Sequence, residues 1–209
     1  VNIGAGAGSY EPCDKTLVAV EPSATMIAQR TSATAPAVQA VAEALPFVTN
    51  QFDLAMAVLT MHHWPDWKLG LEEALRVANG RLVLLTWINE PLPFWLYDYF
   101  PEMESVNRSL FPALDELEYV LGDVAVEAVP VPHDCTDGFL CAYWRRPEAY
   151  LDPSVRQSIS LFAMIEDVEA GVARLARDLA SEKWHADNAA LFESDAVDFG
   201  YRLLSTAAR

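Results

Sequence analysis

The sequence predicts an α/β fold built on a doubly wound, mostly parallel sheet. Three observations support this fold class. Short apolar runs alternate with helical patterns along residues 1–87, as in a parallel sheet with crossover helices. The first run leads directly into three closely spaced glycines, and the second ends on an acidic residue, Glu21. A strand, a glycine-rich turn, a helix start and a second strand with an acidic tip are typical of a nucleotide-binding unit.

The elements of the first half follow from local patterns. We expect strands at 1–3, 16–20, 37–41, 52–59 and 81–87, and helices at 24–30 and 67–78. Ser23 is a suitable N-cap for the first helix. Asn79 and Gly80 are suitable to end the second, because glycine commonly follows the last turn of a helix.

The second half begins with a change of composition. Residues 88–108 combine Pro91, Pro93 and Pro101 with many aromatic residues, which favours either a substrate-facing lid or a helical turn packed on the domain. Beyond it we expect a helix at 112–121, a strand at 124–131, a helical pattern over 152–184 and a strand at 199–205. The predicted domains are a core of residues 1–132 with 194–209, and a helical insertion of residues 133–193.

Composition narrows the classes of partner. The chain has 209 residues, of which 52% are hydrophobic, and a formal net charge of −16. Such an acidic surface repels phosphate backbones and anionic lipid, so we expect neither a nucleic-acid nor a membrane partner. Three cysteines without a C-x-x-C motif favour a reduced, cytoplasmic compartment. The sequence lacks an initiator Met and opens within the first predicted strand, so we expect N-terminal residues to be missing.

The glycine turn is the most informative stretch. Gly4, Gly6 and Gly8 have the spacing G-x-G-x-G, and Ser9 stands where the third glycine of the dinucleotide motif G-x-G-x-x-G would be. Glycine allows the backbone to approach a ligand closely. A carboxylate at the tip of the next strand, Glu21, can accept hydrogen bonds from both ribose hydroxyls. A tight turn without a ligand is the alternative interpretation.

Five segments in order extend this pattern, namely residues 4–8, 21–23, 42–47, 52–53 and 61–63. Together they resemble the class I S-adenosylmethionine-dependent methyltransferases, in particular the small-molecule type similar to quinone-biosynthesis methyltransferases. The resemblance covers residues 1 to about 90. It implies seven strands in the order 3-2-1-4-5-7-6 with the last strand antiparallel. It also implies S-adenosylmethionine as the cofactor, S-adenosylhomocysteine as the product, and an enzyme of class EC 2.1.1.-.

The resemblance also implies the cofactor-binding residues, which are Gly4, Ala5, Gly6, Gly8, Glu21, Pro22, Met26, Ala42, Glu43, Ala44, Leu59 and Thr60. In this scheme the glycine turn passes the ribose and methionine, Ala42 and Glu43 border adenine through backbone amides, and Leu59 and Thr60 line the methionine side. The chain departs from the family at two positions, because Asn2 and Val41 stand where the family usually has acidic residues.

Candidate catalytic residues follow the fourth predicted strand. His62 and His63 are candidate general bases, since imidazole titrates near neutrality and this end of a strand borders the cleft of an open α/β sheet. We expect adjacent side chains there to point in opposite directions, so that at most one faces the cleft. Candidate substrate contacts are Trp64, Trp87, Trp95, His133 and Asp134. No metal is predicted, because three adjacent ligands such as 133–135 cannot easily converge on one ion.

The predicted function is methyl transfer to a small, hydrophobic or aromatic molecule by in-line displacement. A non-catalytic binding domain of methyltransferase fold is the first alternative, suggested by Asn2 and Val41. An NAD-dependent oxidoreductase is a second, which the absence of G-x-G-x-x-G disfavours. The acceptor atom and the oligomeric state, including a homodimer, are left open.

Overall fold

The computed structural model describes residues 1–90 and 93–207, so Pro91 of the predicted lid and the last two residues of the predicted core lie outside it. The chain packs as two compact units. The first contains residues 1–88, 113–128 and the chain from Arg202 onward. The second contains residues 89–112 and 129–201.

Nine strands, eight α-helices and four short 3-10 helices are described. The strands are β1 Asn2–Ile3, β2 Ala19–Val20, β3 Ala37–Val38, β4 Ala55–Val58, β5 Leu82–Trp87, β6 Val124–Ala128, β7 Val131–Pro132, β8 Ala196–Val197 and β9 Tyr201–Thr206. The helices are α1 Ala24–Ala28, α2 Trp67–Val77, α3 Leu96–Tyr99, α4 Glu102–Leu110, α5 Leu114–Leu121, α6 Pro153–Ser158, α7 Val168–Ala180 and α8 Lys183–Asp187.

The main sheet has seven strands in the order β3-β2-β1-β4-β5-β9-β6. β1 pairs with β2 and β4, β2 with β3, and β4 with β5, all in parallel, and β9 is antiparallel to β6. Because β9 is the seventh predicted strand, the expected order 3-2-1-4-5-7-6 and the antiparallel last strand are confirmed. The carboxyl ends of β1, β2, β4 and β5 therefore lie at one edge of the sheet, where α/β folds bind their ligands.

The helix after β4 shows why the local patterns predict this half well. α2 begins at Trp67 and is capped by Asp66, whose side chain accepts a hydrogen bond from the N–H of Leu69 at 3.1 Å. It buries Leu71, Ala74 and Leu75 on one stripe at helical spacing. This stripe belongs to the apolar core of the first unit, which also contains the fully buried Ile3 and Leu84 of the sheet.

The second unit has an aromatic core. Trp144, Tyr150 and Trp184 have no exposed surface. Trp95, from the proline-rich segment, lies edge-on to Tyr150 and Trp184 with ring centroids at 5.6 and 5.0 Å, and its Nε1 donates to the Trp144 carbonyl at 2.7 Å. These contacts place residues 89–112 in the second unit. The predicted insertion, residues 133–193, belongs to the same unit. The sequence assigns residues 89–112 to the core instead.

The predicted strand 124–131 is wrong as a single element. β6 ends at Ala128, and β7 pairs instead with β8 in a separate two-stranded sheet. Pro130 lies between the two strands and has no N–H to donate to a ladder. Among residues 1–90 and 93–207, no helix combines the length and the apolar character required to cross a membrane.

Candidate cofactor site

The glycine turn leaves β1 with a left-handed backbone. Gly4, Gly6 and Gly8 have φ values of 68°, 52° and 100°. A Cβ placed on Gly4 would lie 2.0 Å from the Oγ1 of Thr60. Position 4 therefore requires glycine for two reasons: its backbone is left-handed, and Thr60, which follows β4, approaches too closely for a Cβ.

Glu21 holds the turn from the tip of β2. Glu21 is buried, with only 7% of its surface exposed. One carboxylate oxygen accepts the Gly6 N–H at 2.9 Å, and the other accepts the Ser23 N–H at 2.9 Å. Ser23 in turn caps α1 by accepting the Met26 N–H at 3.3 Å. The carboxylate thus connects the glycine turn to the start of the next helix while retaining lone pairs for further donors.

A buried ion pair, which the sequence did not indicate, supports the same turn. Arg30 and Glu11 pair directly, with side chains 5% and 8% exposed. Arg30 also donates to the carbonyl of Gly6 and to that of Ala35, each at 2.9 Å, and Glu11 accepts the Ala35 N–H at 2.7 Å. Since the two residues are separated by 19 positions, no local spacing could have predicted their pairing.

The segment after β3 offers backbone donors. Ala42 is buried, and the N–H groups of Ala42 and Glu43 donate no hydrogen bond within the described chain. The Glu43 carboxylate accepts the Asp66 N–H at 3.1 Å, at the start of α2. Ala44 is exposed, as is Val41, which is 46% exposed.

Two further predicted residues lie beside the turn. Met26, on α1, brings its Cε to 3.3 Å from where a Cβ on Gly6 would stand. Pro22 directly follows Glu21, and its carbonyl accepts a hydrogen bond from Gln39 at 3.0 Å. Both residues are therefore at the sheet edge that carries the glycine turn.

The backbone after β4 is also unusual. Leu59 has a φ of 50°, which is uncommon for a residue with a branched side chain, while its N–H donates to the Leu85 carbonyl at 2.8 Å. Such conformations cluster at ligand sites because surrounding structure must maintain them. The next residue, Thr60, is buried against Gly4.

His62 and His63 lie on a one-turn 3-10 helix, Met61–His63. Their ring centroids are 3.9 Å apart, so the expectation that they point in opposite directions is wrong: alternation applies to strands, and β4 has ended. Burial lowers the pKa of His62 to about 4, with a smaller contribution from the charge of His63. Burial also lowers the pKa of His63, but the Glu21 carboxylate opposes this shift. His63 is thus electrostatically coupled to the tip of β2.

The predicted substrate residues divide between the units. Trp64 and Trp87 belong to the first unit, where the Trp64 ring packs against Gly70 of α2 and Trp87 is buried at the end of β5. Trp95, His133 and Asp134 belong to the second unit. Trp95 is a core residue there, His133 is half-buried and Asp134 is exposed. In the part of the chain that the structure describes, no group of three or more His, Cys, Asp or Glu residues could hold a metal ion.

Comparisons with known proteins relate this chain to methyltransferases. The model of a methyltransferase domain matches residues 1–84. A search of the curated proteins gave no match. Among solved structures, a protein from Anabaena variabilis described as a candidate methyltransferase from an antibiotic biosynthesis pathway is 32% identical, with a TM-score of 0.92 over 99% of this chain and 89% of that one.

Two more distant structures share the fold. The YcgJ protein from Bacillus subtilis is 18% identical, with a TM-score of 0.55 over 98% of this chain and 88% of that one. The [4+2]-cyclase SpnF is 16% identical, with a TM-score of 0.50 over 98% of this chain and 72% of that one. Since SpnF is described as a cyclase, the fold alone does not specify a reaction.

The fold defines an α/β protein whose parallel strands carry a glycine turn and an acidic strand tip at one edge of the sheet. The chain belongs to the class I S-adenosylmethionine-dependent methyltransferases, and its cofactor is S-adenosylmethionine. The described residues fit this cofactor. The turn at Gly4 excludes any side chain, the carboxylate of Glu21 stands at a strand tip, and the amides of Ala42 and Glu43 have no partner in the described chain.

Proposed function

We propose that this protein transfers the methyl group of S-adenosylmethionine to a small, hydrophobic or aromatic molecule. The supporting observation is that the glycine turn, the Glu21 carboxylate and the two-histidine turn occupy one edge of a parallel sheet. The acidic surface supports a small acceptor over a polynucleotide. The unpaired cysteines support a cytoplasmic location.

The residues of the site have the following roles in this proposal. The cofactor supplies a sulfonium methyl group that is open to nucleophilic attack. Glu21 accepts hydrogen bonds from the ribose hydroxyls with the lone pairs that Gly6 and Ser23 do not use. The amides of Ala42 and Glu43 donate to adenine. Pro22, Met26 and Ala44 border the nucleoside, whereas Ala5, Leu59 and Thr60 border the methionine part.

His63 is the better candidate for the general base. A base must be unprotonated to accept the proton of the acceptor group, and its efficiency is greatest when its pKa is near the working pH. The pKa of His62, about 4, makes its imidazole neutral but weakly basic. The Glu21 carboxylate favours the protonated form of His63 and so keeps its imidazole more basic. We therefore assign proton acceptance to an imidazole nitrogen of His63, with His62 as its neighbour.

Formation of S-adenosylhomocysteine in the presence of a panel of acceptors tests this proposal. The panel contains phenols, aromatic amines and carbon acids, together with an oligonucleotide and an unstructured peptide. We expect turnover with at least one small aromatic compound and a lower rate for His63→Gln than for His62→Gln. Transfer only to the oligonucleotide or the peptide would contradict the proposed substrate class.

A non-catalytic domain is the second candidate function. It is favoured by Asn2, which is buried, and by Val41, which is exposed, because both replace acidic residues usual in the family. This candidate predicts binding of S-adenosylhomocysteine without transfer to any compound of the panel.

A further inference from the structure

Two cavities of the second unit share Asp98 and Asn188 in their walls. One, of about 530 Å³, is lined mainly by aromatic and apolar side chains, and we call it the aromatic cavity. The other, of about 390 Å³, is lined mainly by charged side chains, and we call it the charged cavity. The two cavities are therefore neighbours that meet at Asp98 and Asn188, and we call the pair the groove. No residue to which the proposed methyl transfer assigns a role lines this groove, although Trp95 is among the predicted substrate contacts.

The aromatic cavity has a fixed wall made of Phe94, Trp95 and Tyr97. Phe94 contacts both of the others, with ring centroids at 5.6 and 5.7 Å and edge-on geometry. Trp95 is anchored by its hydrogen bond to the carbonyl of Trp144 at 2.7 Å. Burial raises the pKa of Tyr97, so its phenol stays neutral. A wall of fixed aromatic rings suits the flat ring of a ligand, which can stack or lie edge-on against it.

The charged cavity concentrates cations in a chain that has few of them. Of 14 Lys and Arg residues set against 30 acidic ones, three line this cavity: Arg174, Arg177 and Lys183. The Lys183 ammonium donates a hydrogen bond to the Asp187 carboxylate, and its Nζ lies 3.5 Å from Oδ2 of Asp178. The Asp178 carboxylate also accepts a hydrogen bond from the Tyr99 hydroxyl at 2.9 Å. Both of these carboxylates therefore have donors from within the cavity wall.

The arginines are left without a carboxylate. Arg174 donates to the backbone carbonyl of Tyr99. The guanidinium of Arg177 has no hydrogen-bond or ion-pair partner within residues 1–90 and 93–207, and its backbone carbonyl accepts the Ser181 N–H. They are three residues apart on α7, where like charges are neighbours. A ligand carboxylate suits this pair, since guanidinium groups bind carboxylates through two parallel hydrogen bonds.

Asp98 provides the opposite charge where the two cavities meet. Its carboxylate also has no hydrogen bond or ion pair in the described part of the chain. We propose that this groove binds a small aromatic zwitterion of the amino-acid type. Its ring lies against Phe94, Trp95 and Tyr97, its carboxylate against the two arginines, and its ammonium against Asp98. All of these residues belong to the second unit, so the proposal does not depend on the cofactor site.

Calorimetric titration of the whole protein with three indole compounds tests the groove. L-Tryptophan carries both charged groups, tryptamine lacks the carboxylate and 3-indolepropionate lacks the ammonium. We expect L-tryptophan to bind and each of the other two to bind at least fivefold more weakly. Arg177→Met should weaken L-tryptophan at least fivefold and leave tryptamine unchanged. Asp98→Asn should weaken L-tryptophan and leave 3-indolepropionate unchanged.

The matched control is Arg81→Met, which removes an exposed arginine of the first unit without a side-chain partner among the described residues. It should leave all three affinities unchanged. Absence of L-tryptophan binding at millimolar concentration would overturn the proposal, as would equal affinity for the three compounds. A titration of the same sample with S-adenosylhomocysteine separates this failure from a failure of the proposed function.

Discussion

At the scale of single residues, Gly4 is tightly constrained. Its φ of 68° and the 2.0 Å separation between a Cβ and Thr60 Oγ1 add two penalties. Left-handed backbone costs a residue with a Cβ roughly 1–2 kcal/mol, and overpacking costs about 1–3 kcal/mol. We predict that Gly4→Ala lowers the free energy of unfolding by roughly 2–5 kcal/mol in urea denaturation.

Gly138→Ala is the control for Gly4→Ala. Its Cβ would stand 3.0 Å from the Oγ of Ser158, a side chain that can rotate away, and its φ is not in the left-handed region. A loss below about 1 kcal/mol is expected there. Equal losses for the two variants would show that the approach of Thr60 does not constrain the glycine turn.

The two histidines predict a pH dependence of stability. The pKa values of both histidines are lowered in the folded protein from the ordinary histidine value of 6.5. As the pH falls below 6.5, the unfolded chain therefore binds more protons than the folded protein does. The free energy of unfolding should therefore fall as the pH is lowered from 6.5 toward 4. His62→Gln should make the free energy of unfolding depend less steeply on pH between 6.5 and 4 and should leave its pH dependence above pH 7 unchanged. Urea denaturation at several pH values measures both. An unchanged slope between 6.5 and 4 would contradict the burial of His62.

Some of these residues could be predicted from sequence, and others could not. The spacing of the glycines and the position of Glu21 after an apolar run are local signals, so both were found. The side-by-side histidines were missed, because the extended pattern of β4 gives no sign that a 3-10 turn replaces it at Met61.

At the scale of elements, the Arg30–Glu11 pair joins the segment that follows α1 to the segment that follows the glycine turn, and Arg30 also donates to the turn at Gly6. Removing one member of a buried ion pair typically costs about 3–5 kcal/mol, because the other charge is left uncompensated. We predict such a loss for Glu11→Leu in urea denaturation, together with weaker binding of S-adenosylhomocysteine. The double variant Glu11→Leu/Arg30→Met should recover stability but not affinity, since the Gly6 carbonyl then has lost its donor.

The exposed pair of Glu104 and Arg108 on α4 is the control for the buried pair. Glu104→Gln should cost less than about 1 kcal/mol, as exposed ion pairs usually do. If the double variant of Arg30 and Glu11 binds S-adenosylhomocysteine as well as the unaltered protein, then the pair contributes only stability and does not position the turn.

The sequence predicts elements whose apolar residues recur at a regular spacing. It does not predict elements whose ends depend on contacts with distant parts of the chain. α2 has its apolar residues at helical spacing, and its start and end have suitable capping residues, so its bounds were found within one residue. The end of β6 was missed, because Val131 continues the apolar pattern although it pairs with Val197 in another sheet.

At the scale of the whole molecule, the strand order was predictable and the division into units was not. The order follows from a family resemblance based on short segments of residues 1 to about 90. The packing of Trp95 with Trp144, Tyr150 and Trp184 joins positions about 50 to 90 residues apart, and no periodic pattern marks such contacts. The aromatic composition of the segment was visible, but the unit to which it would belong was not.

The central claim is that Glu21 and the glycine turn bind the nucleoside of S-adenosylmethionine. Calorimetric titration with S-adenosylhomocysteine and with NAD tests this claim. The proteins compared are the unaltered chain, Glu21→Ala, Glu21→Gln and the control Glu72→Ala, which changes an exposed carboxylate. We predict micromolar binding of S-adenosylhomocysteine, no binding of NAD, and affinity at least tenfold lower for both Glu21 variants, which is about 1.4 kcal/mol. An unchanged affinity in folded Glu21→Gln and Glu21→Ala, or binding of NAD in preference, would contradict the claim.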